Sequence, residues 1–276
     1  MTDSRPDSRR RPYVPVGSHP IDTGRYWLAS DPINALLGQV HQWLAARAPG
    51  ATVTGDPRLG KTRAIGYLAR TLVDDRTGTV FPVFTVSGRD KRTASESVFY
   101  EDLLLDLGHG FVKGTLPQKR ERVVTFLTEC VATTPARNRA LLVIDEAQLL
   151  HEAQYRWLLD IYNALDRAGV ALTVLLVGQS QLLDQRTAFY EGGQRQLIGR
   201  FMVHTFRFPG LQSAHAIRTC RVGYDTDSDH PPGSGWSYTR YFFPEAYARL
   251  PARGGPPQTS GTFWARSAAS TRCRGR

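Results

Sequence analysis

Cysteine is scarce in this chain. Its three copies, Cys130, Cys220 and Cys273, are widely separated, odd in number and in no C-x-x-C pair, which excludes a disulfide framework and a cysteine-built zinc site. Cys130 falls in a helical pattern and is expected to pack inside it. The seven histidines form no H-x-x-x-H or H-E-x-x-H pattern, so no metal is expected beyond one that a bound ligand carries. Long apolar runs are missing too. None approaches the ~20 residues that span a bilayer, and Arg9-Arg10-Arg11 is not followed by the apolar stretch of an export signal. The expectation is a cytoplasmic protein with no membrane partner. Internal repeats and heptads are absent, and Pro251–Arg276 holds no acidic residue.

What the chain has in excess is positive charge. Its 35 Lys and Arg residues against 25 Asp and Glu leave a net +10, a balance that favours a polyanionic partner, of which nucleic acid is the commonest. The charge is uneven along the chain. Residues 1–30, rich in Pro and Arg, read as an extended basic arm. From Asp31, a plausible helix start with Pro32 behind it, helix and strand patterns alternate as far as Phe208, giving a core over 31–210. The strands are expected at Ala51–Thr54, Val80–Val86, Ala140–Asp145, Ala171–Gly178 and Val203–Phe208. Helices are expected near Thr62–Val73, Ser95–Leu107, Pro117–Thr133 and Glu152–Ala168. Runs such as Leu141-Leu142-Val143-Ile144 have no polar face, which implies a parallel sheet covered by helices on both sides, a three-layer α/β fold. Residues 211–276 read as a reduced or disordered lid and tail, with a loop over Gly223–Ser237 and one short helix from Tyr238 to Leu250.

Four motifs carry the chemistry. Gly55-Asp56-Pro57-Arg58-Leu59-Gly60-Lys61-Thr62 fits G-x-x-x-x-G-K-[ST] directly after a β-branched run. Glycines let backbone N–H groups turn onto phosphate oxygens, and the following helix offers its positive end. Lys61 would reach the β- and γ-phosphates of ATP, and Thr62 would hold Mg²⁺. The run Leu141–Ile144 then ends in Asp145-Glu146. Ligands of parallel sheets gather beyond the carboxyl ends of the strands, so Asp145 fits the second Mg²⁺ contact and Glu146 the residue that polarises attacking water. Gln179 closes the next apolar run and would sit near the γ-phosphate if that strand lies between the two motif strands. Finally, Arg200, with Arg195 second, precedes the last strand and could complete a neighbouring subunit's site as an arginine finger.

The runs GDPRLGKT, LLVIDEAQ, LLVGQSQL and GRFMVHTFRFPGL resemble the AAA+ ATPases of DNA transposition, especially the TniB family and its relatives TnsC and MuB. The resemblance covers roughly Tyr13 to Leu211, with a weaker echo in Tyr241–Tyr247. It implies an ATP-controlled homo-oligomer, ring or filament, that loads on duplex DNA and recruits or stimulates a transposase. By it, Lys61 and Thr62 contact nucleotide and Mg²⁺, Asp145 and Glu146 are Walker B, Gln179 is sensor 1 and Arg200 the finger. Independently, Ser87-Gly88-Arg89-Asp90-Lys91-Arg92-Thr93 concentrates donors and cations after the second strand. Arg89, Lys91 and Arg92 are the leading expected DNA contacts, and Lys113, Lys119 and Arg120 weaker ones. Two alternatives stand beside this: a nucleotide-gated switch with negligible hydrolysis, and a secretion-type ATPase resembling ExeA. The C-terminus departs from the family pattern, since Pro251, Gly254-Gly255 and Pro256-Pro257 would interrupt a helical lid. Its Arg-rich tail reads as a frameshifted or basic disordered arm.

Overall fold

Five segments pair into one parallel sheet. They are β1 (Gly50–Thr54), β2 (Val83–Ser87), β3 (Arg139–Asp145), β4 (Ala171–Gly178) and β5 (His204–Arg207), ordered β2-β3-β4-β1-β5. The computed structural model describes residues 10–74, 77–135 and 138–248. In the three central strands burial is nearly continuous, as a sheet covered on both faces requires. The helices that cover it include α2 (Asp31–Ala45), α3 (Lys61–Thr71), α4 (Glu96–Asp106), α5 (Leu116–Ala132) and α6 (Glu152–Arg167), after a first short helix, α1 (Pro20–Thr23). The α/β class and five parallel strands agree with the sequence, and β4 does lie between the two motif strands.

The differences are local and have physical causes. β2 begins at Val83 rather than Val80, because Pro82 has no N–H for the ladder and Val80 instead forms an isolated antiparallel bridge with Val73. Two helices carry no clear sequence signal: α7 (Gln181–Glu191) and α8 (Arg195–Phe201). α7 buries only Leu182 and Phe189, too few apolar positions to write a periodicity.

Among the described residues the chain divides into two compact units, 35–210 and a smaller one made of 10–34 with 211–248. The smaller unit holds α1, α9 (Ala214–Thr226), α10 (Tyr238–Phe242) and α11 (Pro244–Ala248). Residues 10–30 are thus not an extended arm throughout. His19 caps α1, accepting from Ile21 N–H at 3.2 Å. Its ring is buried, stacked 4.6 Å from Tyr241, with His230, Tyr238 and Phe242 presented edge-on. The loop expected from Gly223 starts only after Thr226, and the helix expected from Tyr238 is cut at Phe243, since Pro244 cannot donate to the turn before it. The tail Pro251–Arg276 lies outside the described residues.

Candidate functional site

The strand register brings the motif residues to one edge of the sheet. Thr54 is level with Gly178 on one side and Arg207 on the other, and Ser87 is level with Asp145. The loop Gly55–Gly60, the pair Asp145-Glu146 and Gln179 therefore all leave the sheet at its carboxyl edge. Gly60 has φ 95° and Arg58 φ 64°, left-handed conformations that turn successive N–H groups toward a common point. Gly60 also caps α3 without any side-chain acceptor, so the first N–H groups of that helix stay available to an anion.

Lys61 is buried, and its Nζ donates to the carbonyls of Gly55 at 2.7 Å and Asp56 at 2.9 Å. The ammonium is thus held inside its own loop. Thr62 Oγ1 donates to Asp145 Oδ2 at 2.8 Å across 83 residues of sequence. Asp145 Oδ1 in turn accepts the Glu146 N–H at 3.0 Å. Asp56, Pro57 and Arg58 are exposed, while Leu59 packs against Gly210, where a Cβ would meet its side chain at 2.8 Å.

Glu146 adopts φ 51°, ψ 38°, which costs a non-glycine residue about 1–2 kcal/mol. Gly88 makes this possible: a Cβ there would lie 2.4 Å from the Glu146 carbonyl oxygen. The Glu146 carboxylate accepts from Gln148 Nε2 at 2.6 Å. Gln179 is half-buried at the end of β4, and its backbone N–H donates to Gln148 Oε1 at 3.2 Å. Neither Gly88 nor Gln148 was singled out by motif. Gln148 stood within the D-E-A-Q run, whose two-residue offset from Glu146 was the available signal.

Arg200 is not part of this cluster. It is exposed on α8, its guanidinium 5.0 Å from the Tyr162 ring centroid. Its carbonyl oxygen lies 2.4 Å from where a Cβ on Gly50 would be, so Arg200 flanks the start of β1 whereas Lys61 follows its end. The four residue steps from Gly50 to Thr54 separate those ends by about 13 Å. Arg195, also exposed, opens the same helix.

The cationic loop after β2 is not as free as its sequence suggests. Arg89 pairs with Asp106 and with Asp102, the latter at 3.5 Å, and Lys91 also pairs with Asp102. The Lys91 carbonyl accepts from His151 Nε2 at 2.7 Å. Arg92 is exposed. Of the weaker candidates, Lys119 is buried against Glu101 and Ser97, and Arg120 pairs with Glu96. The acids of α4 neutralise most of this patch, an arrangement invisible until that helix docks beside the loop.

Two solved structures are similar at low identity. The *Aeropyrum pernix* ORC2 protein in its ADPNP-ADP complexes is 13% identical with a TM-score of 0.50, covering 71% of this chain and 52% of that one. The *Aeropyrum pernix* ORC1 protein in complex with DNA is 18% identical with a TM-score of 0.47, covering 70% and 48%. This chain therefore spans about half the length of those two proteins. No curated protein matches the sequence. The family model of the AAA domain matches residues 46–185, just over half of the chain, and takes in the phosphate loop, the acidic pair and Gln179. With that match laid over this sheet order and this carboxyl edge, the chain belongs to the AAA domain family.

Proposed function

We propose that the chain binds ATP with Mg²⁺ and hydrolyses it, slowly and under stimulation by duplex DNA, as a subunit of a homo-oligomer. The observation that carries the reading is the bond from Thr62 to Asp145, which joins the phosphate loop to the acidic strand. On binding, N–H groups of the loop and of the α3 N-terminus take the phosphate oxygens. Lys61 exchanges its two carbonyls for the β- and γ-phosphates. Thr62 and Asp145 are the residues that would hold the cation, which neutralises phosphate charge when bound. The donor set fits, since a hydroxyl and a carboxylate already converge there. Among the described residues no group of three His, Cys, Asp or Glu forms a protein-only cage, and Mg²⁺ ordinarily takes one or two carboxylates plus phosphates and water. Glu146 orients the attacking water, Gln179 faces the γ-phosphate, and Arg200 serves the next subunit's site.

The resemblance of the motif runs extends the proposal to an accessory ATPase of transposition that loads on duplex DNA and recruits or stimulates a transposase. A net charge of +10 supports the polyanionic partner. Arg92 leads the DNA contacts, and Arg89 and Lys91 join it by exchanging carboxylates for phosphates. The test is multiple-turnover phosphate release with and without duplex DNA. Release in either condition, lost in Glu146→Gln, supports the enzyme. ATP binding with no release in both favours a nucleotide-gated switch. The transposition role calls for strand transfer by an integrase-like transposase, which should rise on adding this protein with ATP.

A further inference from the structure

The short 3₁₀ turn Ala147–Leu149 carries a side chain that no motif role uses. Gln148 reaches two catalytic elements at once. Its Nε2 donates to Glu146 Oε2 at 2.6 Å, and its Oε1 accepts the Gln179 N–H at 3.2 Å. The carboxamide does both because it carries a donor and an acceptor on one planar group. The turn is itself pinned. Gln185 Nε2 donates to the carbonyls of Gln148 at 2.8 Å and Leu150 at 3.1 Å, while the buried Tyr155 hydroxyl donates to Gln185 Oε1 at 3.1 Å. Gly178 supplies the space, since a Cβ there would lie 2.1 Å from Gln148 Oε1.

The geometry points to Gln148 as a positioning residue that couples the end of β4 to the Glu146 carboxylate. A γ-phosphate that draws Gln179 toward itself moves the acceptor end of the amide, and the donor end re-aims Glu146 at the water. The chain of contacts is short and rigid: one backbone N–H, one amide, one carboxylate. This role rests on the proposed reading of Glu146 as the residue that orients water.

The test compares full-length Gln148→Ala, Gln148→Glu and Gly178→Ala with the wild type, measuring kcat for phosphate release and the Kd of a fluorescent ATP analogue. Gln148→Glu has nearly the same shape and keeps an acceptor for Gln179, but meets Glu146 with like charge. Gly178→Ala displaces the amide without altering it. Each is expected to lower kcat by about 10–10²-fold, part of the 10²–10⁴ that a positioned base contributes, with Kd changed by less than about threefold. In a Glu146→Gln background, adding Gln148→Ala should cost nothing further, because the residue it acts through is gone. Wild-type kcat in Gln148→Glu, or a fully additive loss in the double variant, overturns the inference alone. No turnover by the wild type overturns the enzyme reading and this coupling with it. Should Gln148→Ala fail to fold, the near-isosteric Gln148→Glu carries the comparison.

Discussion

At the scale of single residues, the site depends on a side chain that is missing. Gly88 has no chemistry of its own, yet its hydrogen leaves room for the Glu146 carbonyl, and its N–H donates to the Asp145 carbonyl at 2.7 Å. Because the obstructing atom is backbone, it cannot rotate away. Gly88→Ala is expected to cost about 1–3 kcal/mol of stability and to lower phosphate release more than ATP affinity, as read by denaturant titration beside steady-state kinetics. Unchanged turnover would show that Glu146 tolerates the shift. Lys61→Ala should abolish ATP binding in calorimetric titration, since among the described residues Lys61 is the cation buried against the loop's own carbonyls. Lys61 with Thr62, and Asp145 with Glu146, were legible because each pair belongs to a short contiguous motif. The sequence could not announce Gln148 meeting Gln179, 31 residues on, nor the pairing of Arg89 and Lys91 with α4, since both depend on how separate elements dock.

At the scale of elements, β1 sets the functional distances. Its end carries the phosphate loop and its start lies against the backbone of Arg200 in α8. Gly50→Ala would drive a Cβ into that backbone, displacing α8 and with it Arg200. If Arg200 serves a neighbour, Arg200→Ala should lose about 10³-fold or more in turnover, the scale of known arginine fingers, and so should Glu146→Gln. A mixture of the two inactive proteins should recover activity, because an intact Arg200 on one subunit meets an intact Glu146 on the other. No recovery at any mixing ratio would count against action between subunits. β3 and β4 were legible as long apolar runs, and Pro82 explains the later start of β2. α7 and α8 were not legible, because each is fixed by two core anchors and by its neighbours rather than by its own pattern.

At the scale of the whole molecule, the chain has two compact units. In the smaller one, His19 has a pKa below its ordinary 6.5, chiefly through burial, then through His230 and Arg11 nearby, with Asp22 opposing. Its Nε2 is buried without a partner among the described residues. The folded ring therefore stays neutral where the unfolded one takes a proton. The contribution of the neutral ring to stability is present above about pH 6.5 and is lost as pH falls from there toward the lower folded value. His19→Asn keeps an acceptor for the Ile21 N–H without titrating, so the wild type should lose more denaturant resistance than this variant on acidification. Parallel losses would exclude His19 as the cause. For the DNA reading, replacing Arg89, Lys91 and Arg92 together should weaken binding and flatten its salt dependence, with an unchanged slope excluding that loop. The separation of Lys61 and Arg200 along β1 has one more consequence. A subunit that gives from one side and receives on the other has a head and a tail, so its assemblies are heterologous and either close or keep growing. On that arrangement a ring of n subunits holds n complete sites, an open filament n − 1, and a lone subunit none. Activity per subunit would then measure assembly length, and closure would be visible as the loss of its last concentration dependence.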